Sequence, residues 1–138
     1  MKQQTIALII EDEDAIIQVV SKKLKSLGHN IKIAKNQDSA NFLLKRQTFD
    51  YILLDLKIPV TENDMDPDSN TGFNLLQQIR EKHTQEELPV IIMTAGITSA
   101  VVVMKKGAND FVEKPFKVNE LEDKIRGILH AEQSNEGE

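Results

Sequence analysis

The 138-residue chain is predicted to fold as one α/β domain on a parallel sheet with helices on both faces. Two observations carry that expectation. Short, continuous apolar runs rich in β-branched residues alternate with longer stretches in which apolar residues recur every three or four positions. Five such strand–helix pairs follow one another, and successive crossovers of one hand place helices over both faces of a parallel sheet.

Thr5 to Ile10 ("TIALII") has the unbroken apolar character of a strand covered on both sides. From Glu13 to Leu27, Ile17, Val20, Leu24 and Leu27 fall on one helical stripe, and Gly28 is placed to cap its end. Ile31 to Ala34 is a second short strand, and Asp38 to Lys45 a helix with Ala40, Leu43 and Leu44 on one face. Tyr51 to Leu54 is the third strand. A polar loop leads to a helix carrying Phe73, Leu76 and Ile79. "PVIIMT" is the fourth strand, "SAVVVMKKG" a short apolar helix ending at Gly107, and "DFVE" the fifth strand. Val118, Leu121, Ile125, Ile128 and Leu129 mark the last helix. Residues 1–131 form the expected domain, and 132–138, within "AEQSNEGE", a polar, irregular tail or linker.

Composition narrows the function. With 40% apolar and 28% charged residues, the chain has the make-up of a soluble globular domain. A net charge of -5 without a clustered basic face argues against direct nucleic-acid binding. The absence of cysteine excludes disulfide and thiolate chemistry. No signal peptide or membrane span is evident, so a cytoplasmic location without membrane contact is expected.

Ligand crevices of open parallel sheets lie at the carboxyl ends of the strands. Glu11 and Asp12 follow the first strand, Asp55 the third, Thr94 ends the fourth, and Lys114 follows the fifth. Each has an ordinary reading alone: an acid pair as a helix cap, Thr94 as packing, Lys114 as a solvated cation, Phe111 as a core ring. Their convergence from four segments favours a site. Three gathered carboxylates repel unless a cation joins them or their pKa values rise. An oxygen-only set with room for water suits Mg²⁺ or Mn²⁺. Beside a hydroxyl and an ammonium, Asp55 is then equipped to attack phosphorus and form an acyl phosphate.

"LIIEDEDA", "DYILLDLKIP", "VIIMTAG" and "DFVEKPF" together resemble, in order, the signature segments of the receiver domain of two-component response regulators. The resemblance covers residues 5 to 131. It implies a doubly wound, flavodoxin-like sheet of strand order 2-1-3-4-5 flanked by about five helices. Carried over by position, it makes Asp55 the phosphoacceptor and Asp12 a direct metal ligand. Glu11 would act on the metal through water, and Lys57 would contribute its backbone carbonyl. Thr94 becomes the switch hydroxyl, Phe111 the switch aromatic and Lys114 the phosphate-binding cation. Pro115 would follow a bond that is commonly cis in the family, and Lys57 and Gly96 would tune phosphoryl lifetime. The implied partners are a histidine kinase or phosphotransfer protein, and a downstream protein or effector domain, with a homodimer as a further option. The chain would be a phosphoacceptor, not a turnover enzyme.

Two departures stand out. The loop between Pro59 and Gly72, "VTENDMDPDSNT", has twelve residues and is much longer than the family's. It is expected to be a flexible acidic flap beside the site, able to restrict access or select the kinase partner. Asp64, Asp66 and Asp68 alternate as in a calcium loop, but Ser69 and Leu75 stand where its glycine and glutamate belong. The fourth helix is expected to be short, with part of Val101 to Met104 exposed. The rival readings are a receiver-like adaptor that works without phosphorylation and a haloacid-dehalogenase-type phosphatase. The latter would need an aspartate where Lys57 stands.

Overall fold

The computed structural model describes residues 4–65, 67–95 and 100–137. The elements alternate strictly: β1 (Ile6–Ile10), α1 (Asp14–Ser26), β2 (Asn30–Ala34), α2 (Gln37–Arg46), β3 (Tyr51–Asp55), α3 (Ser69–Lys82), β4 (Val90–Thr94), α4 (Ala100–Lys105), β5 (Asp110–Glu113) and α5 (Val118–Gly137). All neighbouring strands are parallel and the order is β2-β1-β3-β4-β5. The expected doubly wound sheet is therefore present.

The two-sided burial foreseen from the unbroken apolar runs follows from the two-residue period of a strand. Ala7, Ile9, Tyr51, Leu53, Ile91, Met93 and Val112 point to one face, where Val20 and Leu24 of α1 and Leu121 and Ile125 of α5 cover them. Leu8, Ile10, Ile52, Leu54, Val90 and Ile92 point to the other, against Ala40 of α2, Leu75, Leu76 and Ile79 of α3, and Val103 of α4. The central strands β3 and β4 are buried throughout, while β2 and β5 are the partly exposed edges.

Local signals set the helix ends. Gly28 takes the left-handed conformation, φ +85°, and its N–H donates to the Lys25 carbonyl, closing α1 where a glycine was expected to. Asn36 caps α2 by accepting from the Ser39 amide, and Asp68 caps α3 by accepting from the Asn70 amide. Below the sheet, Arg80 of α3 holds the α4–β5 turn. Its Nε donates to the Gly107 carbonyl at 2.7 Å, and its Nη atoms to the Leu88 carbonyl and to Asn109 Oδ1, each at 2.9 Å.

Two expectations are corrected. Helix α3 begins at Ser69, so the last three residues of the twelve-residue loop are helical; Asp68 supplies the cap that starts it. Of the remainder, Val60 and Asp64 are held by hydrogen bonds. The Gln37 and Asp38 amides of α2 donate to the Pro59 and Val60 carbonyls, and the Asp64 carboxylate accepts from the Val60 amide. These bonds satisfy otherwise orphaned donors at the start of α2. The second correction is at the C-terminus, where α5 runs on to Gly137 through the expected irregular tail. The segment contains no proline, and Ala131, Glu132 and Gln133 favour helix continuation. Helix α4 is short, as expected; Val103 is buried while Val101, Val102 and Met104 are exposed.

Candidate functional site

Because all five strands run one way, their last residues share one end of the sheet. Asp55 closes β3 and is 6% exposed, Thr94 closes β4 and is 3% exposed, and Glu11, immediately after β1, is fully buried. Asp12 beside it faces solvent. One oxygen each from Glu11, Asp12 and Asp55 lies within 4.8 Å of the others. Lys114 enters from beyond β5, where its amide donates to the Thr94 carbonyl at 2.7 Å and prolongs the ladder. The Lys114–Pro115 bond is cis.

Lys114 Nζ lies 2.7 Å from Glu11 Oε1, 3.5 Å from Asp55 Oδ2 and 3.8 Å from Glu13 Oε2. Main-chain donors hold the acids in place. Glu11 Oε2 accepts from the Asp12 and Glu13 amides, and Asp55 Oδ1 accepts from the Lys57 amide, all at 3.1 Å. Glu11 Oε1 is buried without a well-directed hydrogen bond, its contact with Lys114 being an ion pair of poor alignment.

The electrostatics show excess negative charge. Burial, and then the Asp55 carboxylate, push the Glu11 carboxyl up to about 7, against the pull of Lys114. Burial and the Asp55 charge also raise Asp12, although its amide hydrogen bond works the other way. For Lys114 burial favours the neutral amine, but contact with Glu11 and the charges of Asp55, Glu11 and Glu13 win and raise its pKa. One ammonium does not balance this many carboxylates. The oxygen-only donors, the poorly satisfied Glu11 Oε1 and the elevated acids fit a hard divalent cation. Among the described residues this is the one acid or imidazole cluster with metal-binding spacing. Of the three acids that alternate as in a calcium loop, Asp64 and Asp68 accept turn and cap hydrogen bonds, and Asp66 lies outside the described residues.

Of the residues expected at the site, Glu11, Asp12, Asp55 and Lys114 converge directly, and Thr94 joins them through the β4–β5 ladder. Phe111 sits on β5 before Lys114, half-buried against the core, with Lys124 Nζ 5.9 Å from its ring centre. Gly96 lies outside the described residues. Glu13, which the sequence also places directly after the first strand but which was not among the expected site residues, lies within ion-pair range of Lys114. The Lys57 amide was also missed, and no side-chain pattern announces it. Gly72 was passed over too: its N–H donates to the Leu56 carbonyl at 2.9 Å, and an added Cβ would overlap the Leu56 backbone.

An acid cluster, a buried aspartate and an ammonium at the switch end of a 2-1-3-4-5 sheet are the arrangement of a class of α/β signalling domain. Residues 7–126 match the family described as the response regulator receiver domain, and the chain belongs to that family. It is 34% identical over 135 residues to the transcriptional regulatory protein KdpE of Staphylococcus aureus, spanning 96% of this chain and 53% of that protein. A probable transcriptional regulator of Cyanidium caldarium is 31% identical over 130 residues, 93% of this chain and 47% of that protein. The chain thus spans about half the length of these curated relatives. The receiver domain of NtrX from Brucella abortus superposes with a TM-score of 0.75 at 29% identity, covering 90% of this chain and 98% of that one. That of a sensor histidine kinase from Pseudomonas aeruginosa, with a magnesium ion coordinated in its active-site cleft, gives 0.76 at 25% identity over 93% and 99%. No helix among the described residues is long and apolar enough to cross a membrane.

Proposed function

We propose that Asp55 is the phosphoacceptor of this receiver domain. The observation that carries the reading is its carboxylate, almost buried at the end of β3, 3.5 Å from Lys114 Nζ and clustered with Glu11 and Asp12. Asp12, Asp55 and the Lys57 carbonyl would hold Mg²⁺, or Mn²⁺ in its place, with Glu11 acting through water. Bound there, the cation supplies charge neutralisation for an incoming phosphoryl group.

The chain's own groups do the rest. An Asp55 oxygen attacks phosphorus on a phosphohistidine of a kinase or phosphotransfer protein. The P–N bond breaks, the imidazole leaves with the electron pair and takes up a proton, and an acyl phosphate remains on Asp55. Lys114 pairs with a phosphoryl oxygen in place of its contact with Asp55, and Thr94 donates a hydrogen bond to another. Phe111 turns inward as Thr94 moves, which alters the surface near α4 and β5, where an effector domain, a downstream protein or a second copy would read it. Lys57, exposed two residues beyond the acceptor, and Gly96 tune phosphoryl lifetime. The domain, residues 1–131, acts in the cytoplasm as a stoichiometric acceptor rather than a turnover enzyme, with 132–138 as a polar tail or linker.

Incubation with Mg²⁺ and acetyl phosphate, read by intact mass, tests the assignment. One added phosphoryl group is expected, dependent on metal and absent in Asp55→Asn. A folded wild-type chain that takes up neither phosphate nor a beryllofluoride mimic would favour the phosphorylation-independent adaptor.

A further inference from the structure

The half-buried ring of Phe111 packs against the core on the face that α2, α3 and α4 cover, whereas α5 covers the opposite face. One side chain of α5 nonetheless reaches it. Lys124 stands between Leu121 and Ile125, both fully buried, and its ammonium lies 5.9 Å from the centre of the Phe111 ring. That ammonium is itself anchored. Lys124 Nζ donates to Asp110 Oδ1 at 3.1 Å, and the same oxygen accepts from the Phe111 amide at 2.9 Å. The side chains of Lys124 and Asp110 are only 29% and 34% exposed, so water and salt screen the pair less than one on open surface. Helix α5 is tied to α1 by the 2.7 Å ion pair between Glu122 and Lys23, which fixes the base of the lysine. Of the three cation–ring contacts among the described residues, this is the one whose cation is also held by a carboxylate.

We propose that Lys124 is a positioning residue for Phe111: held by Asp110, it keeps the ring at the sheet edge and opposes its inward turn. The inference rests on the reading of Phe111 as the aromatic that turns when Asp55 is phosphorylated. An inward turn withdraws the ring from the ammonium, so the contact exists in one state and is lost in the other. Only such a differential contact shifts an equilibrium between two states. At a partly exposed site, cation–ring attraction biases that equilibrium by about two- to fivefold toward the resting state. Phosphorylation and the inward turn favour each other, so by reciprocity the same factor enters the affinity for a phosphoryl mimic. Asp110 sets the place of the lysine, and loss of either partner therefore acts in the same direction.

The experiment uses the full chain labelled with 4-fluorophenylalanine, Phe111→Leu identifying the Phe111 fluorine signal. Lys124→Met keeps the length of the arm without its charge, Asp110→Asn keeps the acceptor for the Phe111 amide, and Lys124→Arg keeps the cation. With no phosphodonor present, the signal in the Met and Asn variants is expected to move toward its position in the wild type saturated with Mg²⁺ and beryllofluoride. Lys124→Arg should leave it in place. In beryllofluoride titrations Kd should fall about two- to fivefold in the Met and Asn variants, no further in the double variant, and not at all in Lys124→Arg. A direct field effect on the fluorine would have opposite sign in the Met and Asn variants, which remove opposite charges. Shifts of opposite sign, an unmoved Phe111 signal, an unchanged Kd, or Lys124→Arg behaving as Lys124→Met would each overturn the proposal. A wild-type chain that binds no beryllofluoride would sink the Asp55 reading instead; same-sign fluorine shifts in the Met and Asn variants, absent in Lys124→Arg, would then still support the positioning role, and their absence would overturn it.

Discussion

Replacing Gly72 with alanine should destabilise the domain and damage its cation site together. In an ordinary helix interior the change adds about 1 kcal/mol of stability through propensity. Here the new Cβ would lie only 2.8 Å from the Leu56 carbonyl carbon, with the Cα and oxygen closer still. Ordinary contact begins near 3.4 Å, and the obstruction is backbone, which no rotamer change relieves. Helix α3 and the Leu56 segment must part by roughly 1 Å, breaking the 2.9 Å hydrogen bond from the Gly72 amide to the Leu56 carbonyl. Overpacking of this kind costs ~1–3 kcal/mol or more, enough to outweigh the propensity gain.

Leu56 lies between Asp55 and Lys57, whose amide steadies the Asp55 carboxylate. A shift there should weaken Mg²⁺ binding roughly tenfold, the low end for lost outer-shell support. Urea denaturation with and without Mg²⁺, together with calorimetric Mg²⁺ titration, measures both effects. Gly127→Ala in α5 is the internal control: its added Cβ meets nothing within 4 Å, and it should stabilise by up to ~1 kcal/mol. If Gly72→Ala matched that gain and kept full Mg²⁺ affinity, the steric reasoning would be refuted.

Further predictions concern charge and the clamp below the sheet. The Glu11 carboxyl is raised from 4.5 to about 7, so between those values the folded chain binds more protons than the unfolded one. Metal-free stability should therefore rise as pH falls from 8 through 7 toward 5, by at most roughly 3 kcal/mol. Denaturant midpoints across that range should show the rise in wild type and a smaller one in Glu11→Gln, where Asp12 remains raised; a flat wild-type profile would contradict the assignment. Arg80→Leu removes the donors to Gly107, Leu88 and Asn109 and should cost ~2–4 kcal/mol. Arg80→Lys should recover less than half of that in thermal melts, because an ammonium lacks the planar fork. A loss below ~0.5 kcal/mol would show that water replaces the clamp.

The strands were legible because central parallel strands are buried on both faces and need unbroken apolar runs, as in "YILLD" and "VIIMT". Helix ends were legible where one residue supplies a rare conformation, as Gly28 does. The acid, hydroxyl and ammonium set was visible because strand direction alone places strand ends together. In the loop after Pro59, the helical start at Ser69 and the main-chain bonds linking Pro59 and Val60 to the start of α2 went unread because composition does not encode them. The end of α5 was misread because polar composition obscured residues that readily extend a helix.

By itself the sequence determined which side chains stand at the carboxyl end of the sheet, since a parallel α/β chain must return each strand to that end. Tertiary structure alone decided their balance: that Lys114 approaches Glu11 more closely than Asp55, that Glu11 is buried and driven toward neutrality, and that the Lys57 amide steadies Asp55. It also decided that Lys124 of α5 reaches Asp110 and the Phe111 ring on β5. Residue types and their order follow from covalent chemistry and periodicity, whereas distances of a few ångströms, and the charge states they set, arise only when segments far apart in the chain pack against each other.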